Sequence, residues 1–277
     1  MLVSSPAIAS MYRYRVQRFW KEFDLIKQKQ ANLTVTDLTS LDQYHYLGTS
    51  AVDHAAEILK ISNHSQVLDI GSGIGGTSRY LAWKYGCQVM GVELQEQLHQ
   101  VGVQMNEVTH LSDRVKLMQG DFTDISDLAI ADRSFDSWIS LNVFLHICDR
   151  TTLFQNCARV LKPEGRFYIE DYYAAQDLPE GDRQALAEII ACPYLPSREQ
   201  YLADLEKVGF QEIEFVDMSA LWQPWLQERY QKFEAQREYY QVLFDVDMVN
   251  SYSHFYQTVV NLFNSGNVSG ARIYGTK

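Results

Sequence analysis

The fold of this 277-residue chain is decided by the stretch Val67-Leu68-Asp69-Ile70-Gly71-Ser72-Gly73-Ile74-Gly75-Gly76. A short apolar run ends in closely spaced glycines, and a helix-period segment follows. Glycine turns between a buried strand and a helix let a ligand approach bare backbone, and the helix N-terminus offers free N–H groups. The stretch therefore predicts a site for a nucleoside-containing ligand. Its glycines do not identify that ligand, because they satisfy both G-x-G-x-G and the dinucleotide pattern G-x-G-x-x-G.

Outward from this stretch, apolar runs of strand length alternate with helix-period segments. Strands are predicted at 67–70, 89–93, 115–119, 135–141, 167–171, 212–218 and 271–274. Such alternation is typical of a parallel sheet covered by helices on both faces. We therefore predict an α/β protein with a doubly wound, mostly parallel seven-stranded sheet. Two segments are expected to be irregular, the polar stretch Thr34–Ser40 and the Asp/Pro/Gly-containing stretch Gln176–Pro196.

The composition excludes several classes of function. With 24 Lys+Arg against 35 Asp+Glu the net charge is −11, so the chain lacks the positive field that nucleic acid or an anionic membrane selects. The cysteines form no C-x-x-C pair, which disfavours a disulfide framework and a thiolate metal site. No run approaches the ~20 apolar residues that span a bilayer, and residues 1–10 lack the pattern of a leader. We expect a cytoplasmic protein without a metal, acting on a small molecule as a monomer or homodimer.

Three neighbours of the glycine turn distinguish between candidate ligands. Asp69 places a carboxylate where a pyrophosphate would be repelled but the cationic end of a zwitterion would be held. Glu93 ends the second predicted strand, where a carboxylate can accept hydrogen bonds from ribose hydroxyls. The third strand closes with Gly120-Asp121-Phe122, which offers an adenine amino group a carboxylate beside an aromatic ring. Together they favour S-adenosylmethionine over NAD, although each acid could instead be a solvated loop residue or a helix N-cap.

These residues carry a resemblance to a known family. In order and spacing, the chain resembles the class I S-adenosylmethionine-dependent methyltransferases at Val67–Gly76, Glu93, Gly120–Phe122, Phe135–Asn142 and Leu161–Gly165. The resemblance implies a Rossmann-like methyltransferase fold with helical lid insertions. It also implies that the methionine end of the cofactor lies on Asp69, Gly71 and Gly73, the ribose on Glu93, and the adenine on Asp121 and Phe122. Asn142 would lie beside the departing sulfur, and Gly75 and Leu94 complete the implied cofactor site.

The chain divides into a core and a lid. We predict a cofactor-binding core at 51–218, completed by a terminal strand at 268–277. Residues 1–50 are expected to form an N-terminal helical cap, because apolar side chains recur there at helical spacing: Tyr12, Val16, Phe19, Phe23 and Ile26. A helical, aromatic-rich insertion at 219–267 is expected to cover the acceptor site.

A narrower resemblance concerns the acceptor. The chain is similar to the phosphoethanolamine and sarcosine/dimethylglycine N-methyltransferases at 142–149, 153–163 and 169–172. In the phosphobase enzymes a histidine in this place works with an N-terminal tyrosine, which implies a catalytic His146 with either Tyr44 or Tyr46. The basic residues with which those enzymes grip phosphate are missing at 191–194. A carboxylate-bearing amine, met by Arg198 or Arg166, is therefore favoured over a phosphorylated acceptor.

Aromatic side chains are the remaining candidates for the acceptor site. Positive charge moves to the acceptor nitrogen during transfer, and aromatic faces stabilise cations; the candidates are Tyr172, Tyr173, Trp222 and Trp225. The alternatives are that the tryptophans are plain core and that His146 is structural. The other histidines considered, His45, His54 and His64, have no metal spacing and are expected at the surface.

The function predicted from these observations is methyl transfer from S-adenosylmethionine to the nitrogen of a small amine or amino acid-like acceptor. One alternative is transfer to sulfur, oxygen or carbon of a thioether, hydroxy acid or lipid ring. More distant alternatives are an NAD-dependent oxidoreductase and a catalytically silent binding module.

Overall fold

The computed structural model describes residues 6–30, 32–126 and 128–277. Within these ranges the strands are β1 (Gln66–Ile70), β2 (Gln88–Glu93), β3 (Val115–Gln119), β4 (Phe135–Leu141), β5 (Leu161–Ala174), β6 (Gln211–Asp217) and β7 (Val268–Thr276). The helices are α1 (Pro6–Lys29), α2 (Val35–Asp42), α3 (Thr49–Ile58), α4 (Gly76–Tyr85), α5 (Glu96–Val108), α6 (Arg150–Val160), α7 (Glu180–Glu188), α8 (Arg198–Lys207), α9 (Ser219–Ala235), α10 (Arg237–Leu243) and α11 (Val246–Asn264). A 3₁₀ helix spans Phe144–His146.

The described strands form one seven-stranded sheet in the order β3-β2-β1-β4-β5-β7-β6. Strands β1 to β5 pair in parallel, and β7 runs antiparallel to both β5 and β6. This arrangement confirms the predicted mostly parallel, seven-stranded α/β fold. Because the chain reverses direction across the sheet on either side of β1 and β4, their carboxyl ends border the crevice in which such folds bind ligands.

Helices cover both faces of the sheet. On one face, Trp138 and Phe167 pack with Phe154 of α6 and Tyr201 of α8 in a buried cluster. The other face buries α3 and α4 against the sheet. A further layer lies over the carboxyl edge, where α7, α9 and α11 share buried contacts with Tyr172 of β5. This layer turns the open edge into a partly enclosed cavity.

Three segments differ from the prediction. Most of the expected loop Thr34–Ser40 is helix α2, because Thr34 and Asp37 form a capping box in which the Thr34 N–H donates to Asp37 Oδ2 at 2.8 Å. The expected irregular stretch 176–196 contains α7. Strand β5 is longer than predicted, since its antiparallel ladder with β7 continues to Ala174. The prediction that residues 1–10 lack a leader pattern involves residues 1–5, which lie outside the described ranges. The side chain of Tyr12, one of the apolar residues of the predicted N-terminal cap, is also not described.

The described residues were expected to contain neither a membrane-spanning helix nor a metal site. No described helix combines the length and the apolarity that crossing a membrane would require. The described part of the chain also holds no cluster of three or more His, Cys, Asp or Glu side chains placed to hold a metal ion.

Candidate active site

The glycine turn after β1 forms one wall of the cavity. Gly71 and Gly73 have φ of +76° and +56°, in the left-handed region that favours glycine. A Cβ atom at Gly71 would lie 2.4 Å from Cγ1 of Val143, so this position has no room for a side chain. A Cβ at Gly73 would meet nothing within 4 Å, because it would project into open space. Gly71 therefore holds the turn against the loop after β4, and Gly73 leaves its backbone open to a ligand.

Two buried carboxyl groups lie beside this turn. Asp69 accepts a hydrogen bond from the Ser78 hydroxyl at 2.6 Å, and burial raises its pKa to about 6. Glu93 accepts from the N–H groups of Gly73 at 2.9 Å and Gln95 at 2.8 Å. Burial raises the pKa of Glu93 to about 7, although both N–H groups favour the ionised form. A ligand cation or hydroxyl donor at this wall would therefore favour ionisation of both groups.

The carboxyl end of β3 adds the adenine candidates. Asp121 and Phe122 both line the cavity, with Leu94. The Oδ1 atom of Asp121 accepts from the N–H and hydroxyl of Thr123 at 2.8 and 2.7 Å, so the residue also caps a local turn. Buried polar atoms without a hydrogen-bond partner among the described residues include Ser72 Oγ and Asn142 Oδ1, and both residues line the cavity. Unsatisfied buried groups of this kind indicate a polar ligand.

His146 faces the cavity from the 3₁₀ helix after β4. Its Nδ1 lies 3.0 Å from the carbonyl oxygen of Ala191. Since a carbonyl can only accept, Nδ1 carries the proton and Nε2 carries the free lone pair. Burial lowers the pKa of His146 to about 4, and the positive charge of Arg15 lowers it further. The side chain is therefore a neutral hydrogen-bond acceptor at neutral pH.

The loop that carries His146 is fixed by a buried acid. Asp171 accepts hydrogen bonds from the backbone N–H groups of Leu145 at 2.9 Å and Tyr172 at 2.7 Å. Asn142, at the start of the loop, has a φ of +57°, which is unusual for a residue with a side chain. Its N–H donates to the carbonyl of Glu170 at 2.7 Å, which ties the loop to β5.

Both candidate tyrosines of the N-terminal segment line the cavity. Tyr46 and Tyr172 share a hydrogen bond between their hydroxyl groups, and their rings stack at 6.0 Å between centroids. Tyr44 instead packs edge-on against Phe19 at 5.6 Å, with the guanidinium of Arg15 4.8 Å from its ring centroid. Burial raises the pKa of both N-terminal tyrosines, so both are neutral at neutral pH.

Several predicted acceptor residues lie away from the cavity wall. Tyr173 points to the opposite face of β5 from Tyr172, as neighbours in a strand do, and donates to Asp217. Arg198 is exposed and stacks over Phe215 at 5.3 Å. Arg166, at the amino-terminal end of the β4–β5 pairing, is at the wrong edge of the sheet.

The predicted tryptophans and one glycine also have other positions. Trp222 is fully buried behind Tyr46, at 4.8 Å between ring centroids, and therefore belongs to the core. Trp225 contacts Tyr46 at 5.2 Å but does not line the cavity. Gly75 is the N-cap of α4 with a φ of +78°, and its role there is conformational.

The cavity is also lined by residues that the sequence analysis did not assign to the site. They come from distant parts of the chain and are Arg15, Phe19, Asp42, His45, Arg229 and Phe255. The expectation that His45 is at the surface is wrong, because it is buried with Nδ1 3.1 Å from the Tyr46 carbonyl. His64 is exposed as expected, whereas His54 is half-buried. No local spacing marks these cavity residues, since the fold brings them together only in three dimensions.

A glycine turn flanked by the buried carboxyl groups of Asp69 and Glu93 therefore lies at the carboxyl edge of this sheet, where open α/β sheets bind their ligands. Residues 68–169 match the sequence model of the family described as "Methyltransferase domain". This match runs from β1 into β5, and it confirms the resemblance inferred from the motifs.

Two curated proteins are similar in sequence to more than half of this chain. The chain is 35% identical over 153 residues to a sarcosine/dimethylglycine N-methyltransferase of Halorhodospira halochloris, covering 55% of this chain and 54% of that one. It is 32% identical over 168 residues to a glycine/sarcosine/dimethylglycine N-methyltransferase of Actinopolyspora halophila, covering 61% of this chain and 29% of that one. The chain thus spans about half of the first relative and less than a third of the second.

The fold also matches a solved structure. Phosphoethanolamine N-methyltransferase 2 of Haemonchus contortus, in complex with phosphomonomethylethanolamine and S-adenosylhomocysteine, superposes with a TM-score of 0.76 at 24% identity. The match covers 83% of this chain and 52% of that one. At this identity the likeness concerns the fold.

Proposed function

We propose that this chain transfers the methyl group of S-adenosylmethionine to the nitrogen of a small amino acid-like acceptor. The observation that carries the proposal is the pair Asp69 and Glu93 beside open Gly73, in the same cavity as the unprotonated Nε2 of His146. The two relatives described above are named as N-methyltransferases of sarcosine and dimethylglycine, which supports the choice of nitrogen.

The donor half of the cavity fits this cofactor. Asp69 would hold the ammonium of its methionine end, Glu93 the ribose hydroxyls, and Asp121 with Phe122 the adenine. When bound, the cofactor supplies a methyl group activated by a sulfonium. The pyrophosphate of NAD would instead meet the Asp69 carboxylate at the glycine turn, which disfavours the oxidoreductase alternative.

The acceptor half has the groups that an amine needs. An amine must lose its proton before it attacks, and the neutral His146, whose Nδ1 donates to the Ala191 carbonyl, can accept a hydrogen bond from the amine at Nε2 and relay its proton toward solvent. The hydrogen-bonded pair Tyr46 and Tyr172 would orient the nitrogen, and their ring faces would stabilise its developing charge at ~0.5–2 kcal/mol each. Most of the rate enhancement would come from positioning and from exclusion of water.

The surroundings of the site complete the proposal. Residues from α1, α9 and α11 line the cavity and would act as the lid that admits and retains the acceptor. The free state of the described cysteines, Cys87, Cys148, Cys157 and Cys192, supports a cytoplasmic location. We propose a monomer or homodimer as the working form.

A methyl-labelled donor tests the proposal directly. The purified protein is incubated with labelled S-adenosylmethionine and a panel containing sarcosine, dimethylglycine, a thioether, a hydroxy acid and an unsaturated lipid. The expected result is label on nitrogen of an amino acid-like amine. Label on the thioether, hydroxy acid or lipid without amine turnover would replace nitrogen as the acceptor atom.

A further inference from the structure

Arg229 of α9 reaches the cavity through an aromatic cluster. Its guanidinium carbon lies 5.0 Å from the ring centroid of Tyr46, 4.9 Å from that of Trp225 and 4.7 Å from that of Tyr256. Arg229 also lines the cavity. The three rings hold the guanidinium in place without supplying a negative charge.

No carboxylate of the described residues balances the charge of Arg229. The ion pairs of the described residues do not include Arg229, and its Nε is buried without a hydrogen-bond partner among them. By contrast, the fully buried Arg79 is paired with Asp42 at 3.0 Å, whereas Arg229 is half-buried. A partly desolvated guanidinium with an open donor is costly unless an anion completes it.

The position of Arg229 connects it to the proposed chemistry. Tyr46 packs its ring against the guanidinium of Arg229, and its hydroxyl is hydrogen-bonded to Tyr172. The carboxyl groups of Asp69 and Glu93 line the same cavity from the glycine turn. The cavity therefore has acidic groups at the glycine turn and a cation at the lid, a polarity that suits a ligand with an anionic end.

We propose that Arg229 is the specificity-determining residue that binds the carboxylate of the acceptor. This inference rests on the proposed function, because it names the group that selects an amino acid over an uncharged amine. The planar guanidinium matches a carboxylate. One uncompensated positive charge also balances one carboxylate better than a phosphomonoester, which carries nearly two negative charges at pH 7.

Comparing the binding of glycine betaine and choline measures the contribution of the ligand carboxylate to affinity. Both carry a trimethylammonium group, and they differ in a carboxylate against a hydroxymethyl group. Their binding to the complex of the full chain with S-adenosylhomocysteine is measured by titration calorimetry, so turnover is not required. The variants are Arg229→Met and, as control, Lys232→Met, which removes a charge from the same helix at an exposed i,i+4 pair with Glu228.

The inference predicts a selective effect. The unaltered protein and Lys232→Met should bind betaine roughly 10- to 100-fold more tightly than choline, as expected for a charged hydrogen-bonded pair. In Arg229→Met that ratio should fall to about one, with choline affinity unchanged. If Arg229 only clamps α9 onto Tyr46, the variant will weaken both ligands equally and lower the melting temperature, which would overturn the inference.

Two further results separate this inference from the proposed function. Selective, Arg229-dependent betaine binding without methylation of any amine would support the anion site and reject N-methyl transfer. Methylation of an amine, together with equal binding of betaine and choline, would support N-methyl transfer and reject the anion site at Arg229. Phosphocholine is the third ligand, and tighter Arg229-dependent binding of phosphocholine than of betaine would show a phosphate site and reject the carboxylate.

Discussion

The two glycines of the turn after β1 should respond differently to the same added methyl group. In Gly71→Ala the new Cβ would lie 2.4 and 2.5 Å from the two methyl carbons of Val143 and 2.9 Å from its Cβ, at a φ of +76°. A left-handed alanine costs about 1–2 kcal/mol and overpacking about 1–3, so we expect about 2–5 kcal/mol of lost stability. Val143 precedes the 3₁₀ helix, so its displacement should also move His146 and lower turnover.

Gly73→Ala is the matched control, with a φ of +56° and no atom within 4 Å of the new Cβ. It should lose only about 1–2 kcal/mol of stability. Its methyl group would occupy the space assigned to the cofactor, which predicts a Kd for S-adenosylhomocysteine weaker by about 1–3 kcal/mol, or roughly 5- to 150-fold. Denaturant unfolding and titration calorimetry measure the two effects. Unchanged affinity in Gly73→Ala would refute the assignment of that open space to the cofactor.

Three other predictions concern single side chains. His146→Ala should lower turnover by ~10² or more with cofactor affinity nearly intact, because it removes a proton acceptor; an unaltered single-turnover rate would make His146 structural. Burial raises the pKa of Glu93 to about 7, so it gains a proton as the pH falls from 8 to 6. The Kd of S-adenosylhomocysteine should rise about tenfold over that range, with proton release on binding, and a slope that persists in Glu93→Gln would exclude this group. Arg79→Met leaves the buried Asp42 carboxylate unpaired and should cost about 3–5 kcal/mol in denaturant unfolding. Lys84→Met, which breaks an exposed pair on the same helix, should cost at most about 1 kcal/mol, and equal losses would contradict the reasoning.

The core of the fold could be predicted from the sequence because its signals are local. The stretch 67–76 contains a complete strand, turn and helix start, and Asp69 and Glu93 end neighbouring strands. Parallel strands meet at their carboxyl ends, so strand positions alone bring these acids to one cavity. His146, which follows β4, was predicted from the resemblance to the phosphobase N-methyltransferases, and it lines the same cavity.

The lid could not be predicted in the same way, because its contacts are distant in sequence. Arg15 and Arg229 are separated by most of the chain, and they line one cavity only in the folded protein. The prediction that Tyr173 binds the acceptor was wrong because side chains alternate along β5. Of the two neighbours, Tyr172 points toward the cavity and Tyr173 points to the other face. The assignment of His45 to the surface was wrong because the side chain is buried, with its ring nitrogens 3.1 Å from the Tyr46 carbonyl oxygen and 3.0 Å from Gln43 Oε1.

The central claim is that the carboxylate-flanked turn binds an amino acid-bearing sulfonium nucleoside. Titration of the purified chain with S-adenosylhomocysteine and, separately, with NAD tests this claim most directly. We predict saturable one-to-one binding of S-adenosylhomocysteine that is lost in Asp69→Ala, and no binding of NAD. Binding of NAD without S-adenosylhomocysteine would contradict the claim.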